Sequence, residues 1–151
     1  MNRKEYLARY REENRERIRE QQRQWRLRHT EEEKDRCRKK AVDYRATPDG
    51  RGDRLFHGAK KRAATSGIEF SLEREWVIEK VKSGVCEVTG LPFELSSGRS
   101  LFAPSLDRTD PTKGYTPDNV KVVVWSYNAA KATGTHEEVL VLAHALVAND
   151  N

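Results

Sequence analysis

The sequence predicts an α+β fold in which helices come first and a small strand-containing core comes last. Three observations carry that reading. Residues 2–45 contain no Gly or Pro and are dominated by Arg, Glu, Gln and Lys, all favourable in helices. Two further stretches, 54–66 and 72–83, repeat their apolar residues at helical spacing. After Gly84 the pattern changes to short β-branched runs separated by turn residues, of which Val120 to Trp125 is the clearest strand.

The first stretch reads as a long, solvated, basic arm. Residues 1–45 hold 16 Lys/Arg against 10 Asp/Glu, a net of +6, which leaves 13 basic and 14 acidic residues for the remaining 106. The positive excess of the chain therefore sits in the arm, the electrostatic footprint of a polyanion partner. Acid–base pairs such as Glu13 and Arg17 have helical spacing. Tyr6, Trp25 and Tyr44 recur 19 residues apart, and Glu13 matches Glu32 and Arg17 matches Arg36, so the arm carries a weak internal repeat. As one continuous helix it would extend about 65 Å at ~1.5 Å per residue. Its apolar spacing is too irregular for sustained heptads.

Ala46 to Gly52, with its Pro and two Gly residues, predicts a break. A second helix follows over 54–66, with Leu55, Phe56, Ala59, Ala63 and Ala64 on one side and Gly67 as its C-cap. Ile68 to Phe70 reads as short and extended. Ser71 is placed to cap a third helix over 72–83, whose inward residues are Leu72, Trp76, Val77 and Val81. Val85 to Val88 reads as a strand, Thr89 to Pro92 as a turn and Leu95 to Ser100 as a polar loop. Ser105 to Arg108 is a short strand, Asp110 to Tyr115 a tight loop, and Ser126 to Lys131 the start of a helix. Thr135 and Glu138 form a capping box for a last helix to about Val147. Its Val139, Leu140, Leu142, Ala143, Leu146 and Val147 are expected to cover the core. Trp125 and Tyr127 flank Ser126, so one is expected in the core and the other at a groove.

Composition removes several function classes. Cys37 and Cys86 are far apart and form no CxxC pair, so neither a disulfide framework nor a structural zinc is expected. No apolar run approaches the ~18 residues of a membrane span, and no apolar leader is evident, so an intracellular, cytoplasmic setting is expected.

The order strand, Asp107, loop, Asn119, strand, Asn128, helix is the constellation that carries chemistry. The run from Pro104 to Val120, with Asp107, Arg108, Gly114, Tyr115 and Asn119, followed by Tyr127-Asn128-Ala-Ala-Lys131, resembles the HNH branch of the ββα-metal nucleases. It is particularly similar to small HNH-like proteins of bacteriophages, and Gly84 to Phe93 is similar to the segment leading into that core. The resemblance spans roughly residues 86–131. It implies that Asp107 and Asn128 hold Mg²⁺ or Mn²⁺, that Asn119 braces the loop, and that double-stranded DNA is the substrate, as in a phage-infected host. The domain organisation that follows is a basic helical arm over 1–48, a helical connector over 49–84 and an HNH-like core over 85–151.

A hard divalent ion suits that pair, because it prefers oxygen ligands and retains several waters. Lys113, Lys121 and Lys131 are expected at flanking phosphates, with Arg17, Arg19, Arg23 and Arg26 of the arm adding sequence-independent affinity. The general-base position of the family holds Arg108, which stays protonated and cannot accept a proton from water. Three consequences stay open: Arg108 clamps the phosphate, His57 or His136 supplies the base, or the site binds nucleic acid without cutting it. The sequence thus sets a metal-dependent DNA endonuclease beside a catalytically inactive nucleic-acid-binding protein. A helical assembly protein that self-associates through the arm is a third reading.

Overall fold

The computed structural model describes residues 3–95 and 100–150 of the chain. It separates into two compact units, Met1–Ala41 and Val42–Asn151. Residues 96–99 of the expected polar loop lie outside the described residues.

The first unit is helical but segmented. Helices α1 (Arg3–Glu13), α2 (Arg15–Arg28) and α3 (Glu31–Arg45) replace the single expected rod, the end of α3 from Val42 belonging to the second unit. The second break has a clear local cause. Thr30 Oγ1 accepts from Glu33 N at 3.2 Å, and Thr30 N donates to the Glu33 carboxylate at 2.8 Å. This capping box starts a new helix, while His29 before it is extended. The Thr30-x-x-Glu33 signal is present in the sequence; it is masked by the good helix formers on either side. No residue of α1, α2 or α3 is buried.

The second unit begins its packing with α4 (Pro48–Ser66), which starts six residues before the expected 54. Residues 48–52 form its first turns. Thr47 caps it by accepting from Gly50 N at 3.1 Å, and Pro48 fits the first helical position, where no N–H bond is lost. Gly52 serves helix packing: a Cβ there would meet Ile78 Cγ1 at 2.7 Å. Ile78 lies on α5 (Arg74–Lys82), whose N-cap is Glu73, two residues beyond the expected Ser71. The two helices are tied at their surface by Asp53, which takes Arg74 Nε at 2.5 Å and the Tyr44 hydroxyl at 2.5 Å.

The strands are β1 (Pro104–Arg108) and β2 (Val120–Val124), paired antiparallel with Leu106 opposite Val122 and Asp107 opposite Lys121. Alternation gives this hairpin two faces. Leu106, Val120 and Val122 join Phe56, Ala59 and Ala63 of α4 and Val77 and Val81 of α5 in the main core. Val123 belongs to a second cluster with Cys86, Val124 and Tyr127. Helix α6 (Trp125–Lys131) follows β2 without a linker. Residues 84–93 form a compact turn rather than the expected strand at Val85 to Val88. The Val85–Pro92 pair is an isolated bridge, and Glu87 reaches β2 through its backbone N to Val122 O at 3.0 Å. Phe70 and Tyr115 form another bridge, in keeping with the extended segment expected at Ile68 to Phe70.

Helix α7 (His136–Ala148) has the expected capping box. Its packing differs from expectation. None of its residues is buried, Val139 alone is packed against the second cluster, and Leu146 and Val147 are 65% and 77% exposed. The turn at Cys86 to Phe93 already covers that cluster, so α7 is not needed to close it. No described helix is long and apolar enough to cross a membrane.

Candidate active site

The β1–β2 hairpin and α6 bring Asp107, Asn119 and Asn128 into one unit. The two Asn residues take different roles. Asn119 stands at the end of the loop that links the strands. Its Nδ2 donates to Asp110 O at 3.1 Å and Gly114 O at 2.9 Å, and its Oδ1 accepts from Asp110 N at 2.9 Å. The side chain is buried and tied on both polar atoms. It ties residues 110–114 to the base of β2 and is a brace for the loop.

Asn128 sits on α6 above β1. Its Nδ2 donates to Ser105 Oγ at 2.7 Å and to Leu106 O at 2.9 Å. With the nitrogen held by β1, the amide oxygen remains available as an acceptor. A cleft of about 290 Å³ is lined by Asn128, Ser105, Asp107, Arg108, Arg62 and Tyr115, among others.

Asp107 is buried in the hairpin, and its counter-charge is Lys131. The ammonium lies 3.1 Å from Asp107 Oδ1 and donates to Arg108 O at 2.9 Å, with the two side chains 5% and 2% exposed. Lys131 was expected at a flanking phosphate. The fold instead places it one turn past Asn128, on the same face of α6, where it neutralises a carboxylate that burial would otherwise leave uncompensated. Immediately after it, Ala132 holds a positive φ of 48°, sparsely populated by residues with a side chain, and lines the cleft.

Arg108 lines the same cleft as Asp107 and Asn128. Its guanidinium donates to Lys113 O at 2.8 Å and lies 5.2 Å from the centre of the Tyr115 ring. Arg62 of α4 approaches the same ring at 5.7 Å and donates through Nε to the Tyr115 hydroxyl at 3.1 Å. Two guanidiniums therefore bracket one buried tyrosine at the edge of the cleft. Sequence reasoning missed Arg62. It lies 46 residues before Arg108, and no local signal separates it from the other basic residues of α4.

The two histidines considered as bases are placed differently. His57 is exposed on α4, with its ring edge-on to Phe56. His136 lines a second cleft of about 430 Å³ on the far side of Asp107, together with Lys121, Tyr127, Lys131 and Glu137. Its Nδ1 is 3.2 Å from the Tyr127 hydroxyl. Burial, and then the charge of Asp107, holds the Tyr127 phenol above its ordinary pKa. Tyr127 is the core member of the aromatic pair and Trp125 the groove-facing one, half-exposed.

Lys113 is exposed and 3.6 Å from Asp110. Lys121 is exposed directly across the ladder from Asp107. The arm residues Arg17, Arg19, Arg23 and Arg26 are exposed on α2, with Arg17 donating to the Tyr10 hydroxyl at 2.8 Å and Arg23 4.0 Å from Glu20.

The donor set can be tested for a metal on these contacts. Among the described residues no group of three or more His, Cys, Asp or Glu side chains is poised around a common point. The candidate ligands reduce to one buried carboxylate and one oriented amide oxygen on a shared cleft. One carboxylate and one amide oxygen are donors of the kind a hard cation that keeps most of its water accepts.

No protein-family model and no curated protein matches the sequence. Among solved structures, the chain is similar to that of the rare-cutting HNH restriction endonuclease PacI. The likeness covers 63% of this chain and 75% of that one, at 18% identity and a TM-score of 0.49.

Proposed function

We propose that this chain is a metal-dependent endonuclease that hydrolyses phosphodiester bonds in DNA. The observation that carries the reading is the shared cleft: Asp107 and Asn128 line it beside Arg108 and Arg62, on a hairpin held in shape by Asn119. Two oxygen donors of low total charge next to two permanent cations form a site for a phosphodiester, not for a neutral or cationic substrate.

Asp107 and Asn128 would hold Mg²⁺ or Mn²⁺, which supplies Lewis-acid stabilisation of the phosphate when bound. The chain's own residues do the rest. Asn128 is oriented by β1, so its oxygen needs little reorganisation to serve as a ligand. Arg108 is anchored on Lys113 O, and its remaining N–H groups can bind a phosphate oxygen and stabilise charge that develops there. It does not act as the base. Neither His57 nor His136 lines the cleft shared by Asp107 and Asn128, so no histidine is assigned as the base. The net +6 of residues 1–45 gives the arm sequence-independent affinity for the backbone of double-stranded DNA.

A second reading is favoured by one contact. Lys131 gives Asp107 a buried counter-charge at 3.1 Å, an arrangement that also suits a protein that binds nucleic acid and does not cut it. A plasmid-nicking assay with Mg²⁺, Mn²⁺ or EDTA, run beside Asp107→Ala, separates the two. Metal-dependent cutting that disappears in the variant supports the nuclease. Salt-sensitive binding with no cutting under any condition supports the binding protein.

A further inference from the structure

Helix α4 and the segment before β1 enclose a groove of about 770 Å³, within the ~300–1,000 Å³ range of ligand sites. One wall is a single face of α4, where Arg51, Arg54, Leu55, Gly58 and Arg62 recur at helical spacing. The other wall includes Leu101, Pro104 and Trp125. Arg62 and Ser105 also line the Asp107 cleft, so the groove runs directly into it.

Its chemistry is one-sided. Three guanidiniums line it and, among the described residues, no carboxylate does. Arg54 is exposed on that face and, among the described residues, has no ion pair. Arg51 and Arg54 repel each other: burial, and then the neighbouring Arg54 charge, lowers the basicity of Arg51. Trp125 adds an element that phosphate alone does not need. It is the first residue of α6, its backbone N donates to Ala103 O at 2.8 Å, and its indole stays half-exposed on the groove. A rigidly mounted, solvent-facing indole beside three guanidiniums is a stacking platform next to a phosphate track.

We propose that this groove binds an unpaired nucleotide segment of the DNA strand that enters the Asp107 cleft, with Arg51, Arg54 and Arg62 on its phosphates and Trp125 stacked on a base. The segment is single-stranded, because a base inside a duplex has no free face for the indole. The proposal rests on the nucleic-acid reading of the Asp107 cleft and does not require that cleft to be catalytic.

The test is fluorescence anisotropy of the full-length protein in EDTA. The probes are a short labelled thymidine oligonucleotide and one of equal length and charge with abasic sugars. The wild type is expected to bind the base-bearing strand about tenfold more tightly, as stacking of one base implies. Trp125→Ala should erase that preference and leave abasic binding unchanged, while Trp125→Phe should keep part of it. Arg54→Glu, at an exposed position, should weaken both probes about equally. Equal wild-type affinity for the two probes, no binding of either, or a preference that survives Trp125→Ala overturns the proposal. Because EDTA removes metal-dependent chemistry, failure of the nicking assay leaves this outcome readable. Conversely, cutting with no base preference rejects the groove and leaves the nuclease standing.

Discussion

The arm and the hairpin are both built from short local elements, yet they are held by different forces. Helices α1 to α3 bury no side chain, and Trp25, Leu27 and Tyr44 remain 46%, 71% and 46% exposed. Their stability comes from propensity, caps and exposed ion pairs worth about 0.3–0.5 kcal/mol each. Strands β1 and β2 are five residues each, yet Val122 and Val123 are fully buried and Asp107 is shut in beside Lys131. The lesson is one of consequence. A substitution in the arm acts where it is made, whereas one in the hairpin acts on the whole second unit and on the site together.

The largest expected effect follows from the buried pair. Lys131→Met leaves Asp107 without its counter-charge and should cost about 3–5 kcal/mol in a denaturant melt in EDTA. If the carboxylate accepts a divalent cation, Mg²⁺ should restore part of the loss in this variant and change the wild type little. An EDTA midpoint equal to wild type would show that the pair does not support the fold. Asn119→Ala comes next. It removes three side-chain hydrogen bonds and strands the buried carbonyl of Gly114, for an expected loss of about 1–3 kcal/mol.

A pair of alanine substitutions sharpens the contrast. Val122→Ala opens a void in the main core and should cost about 2 kcal/mol. Leu27→Ala, at a residue 71% exposed on α2, should stay within about 0.5 kcal/mol of wild type. Similar losses would mean that α2 is covered in solution. Thr30→Ala removes the cap of α3 at about 1 kcal/mol of local helix stability. Far-ultraviolet ellipticity should fall while the near-ultraviolet melt of the second unit stays in place.

The smallest effect is a pH dependence. Hydrogen bonds from Arg74, and then from Tyr44, hold the Asp53 carboxyl below its ordinary value of 3.8. A carboxyl depressed in the folded state stabilises above its unfolded pKa, and that stability is lost as pH falls through the folded value. Wild type should therefore lose stability below about pH 4 more steeply than Asp53→Asn, compared by thermal melts across that range. Parallel curves would remove Asp53 as a link between α4 and α5.

Much of this was legible from residues alone. The hairpin from Pro104 to Val124, the helix after it and the Thr135–Glu138 capping box depend on short-range patterns: β-branched runs, turn residues and motif spacing. The arm was legible as helix and misjudged as one rod, because Thr30 and Glu33 act through two hydrogen bonds that propensity does not register. The start of α4 was misjudged for the opposite reason. Pro48, Gly50 and Gly52 read as breakers, but Pro suits a first turn and Gly52 is small so that Ile78 can approach.

The sequence by itself determined the helices of the arm, the hairpin and the order in which Asp107, Asn119 and Asn128 occur, since each is encoded within a few neighbouring residues. Tertiary structure alone decided that Lys131 is spent on Asp107, that Arg62 joins Arg108 around Tyr115, and that α7 leaves its apolar residues outside the core. Those outcomes depend on which faces meet across long separations. Burial and charge neutralisation select such meetings only once β1, α4 and α6 are packed together.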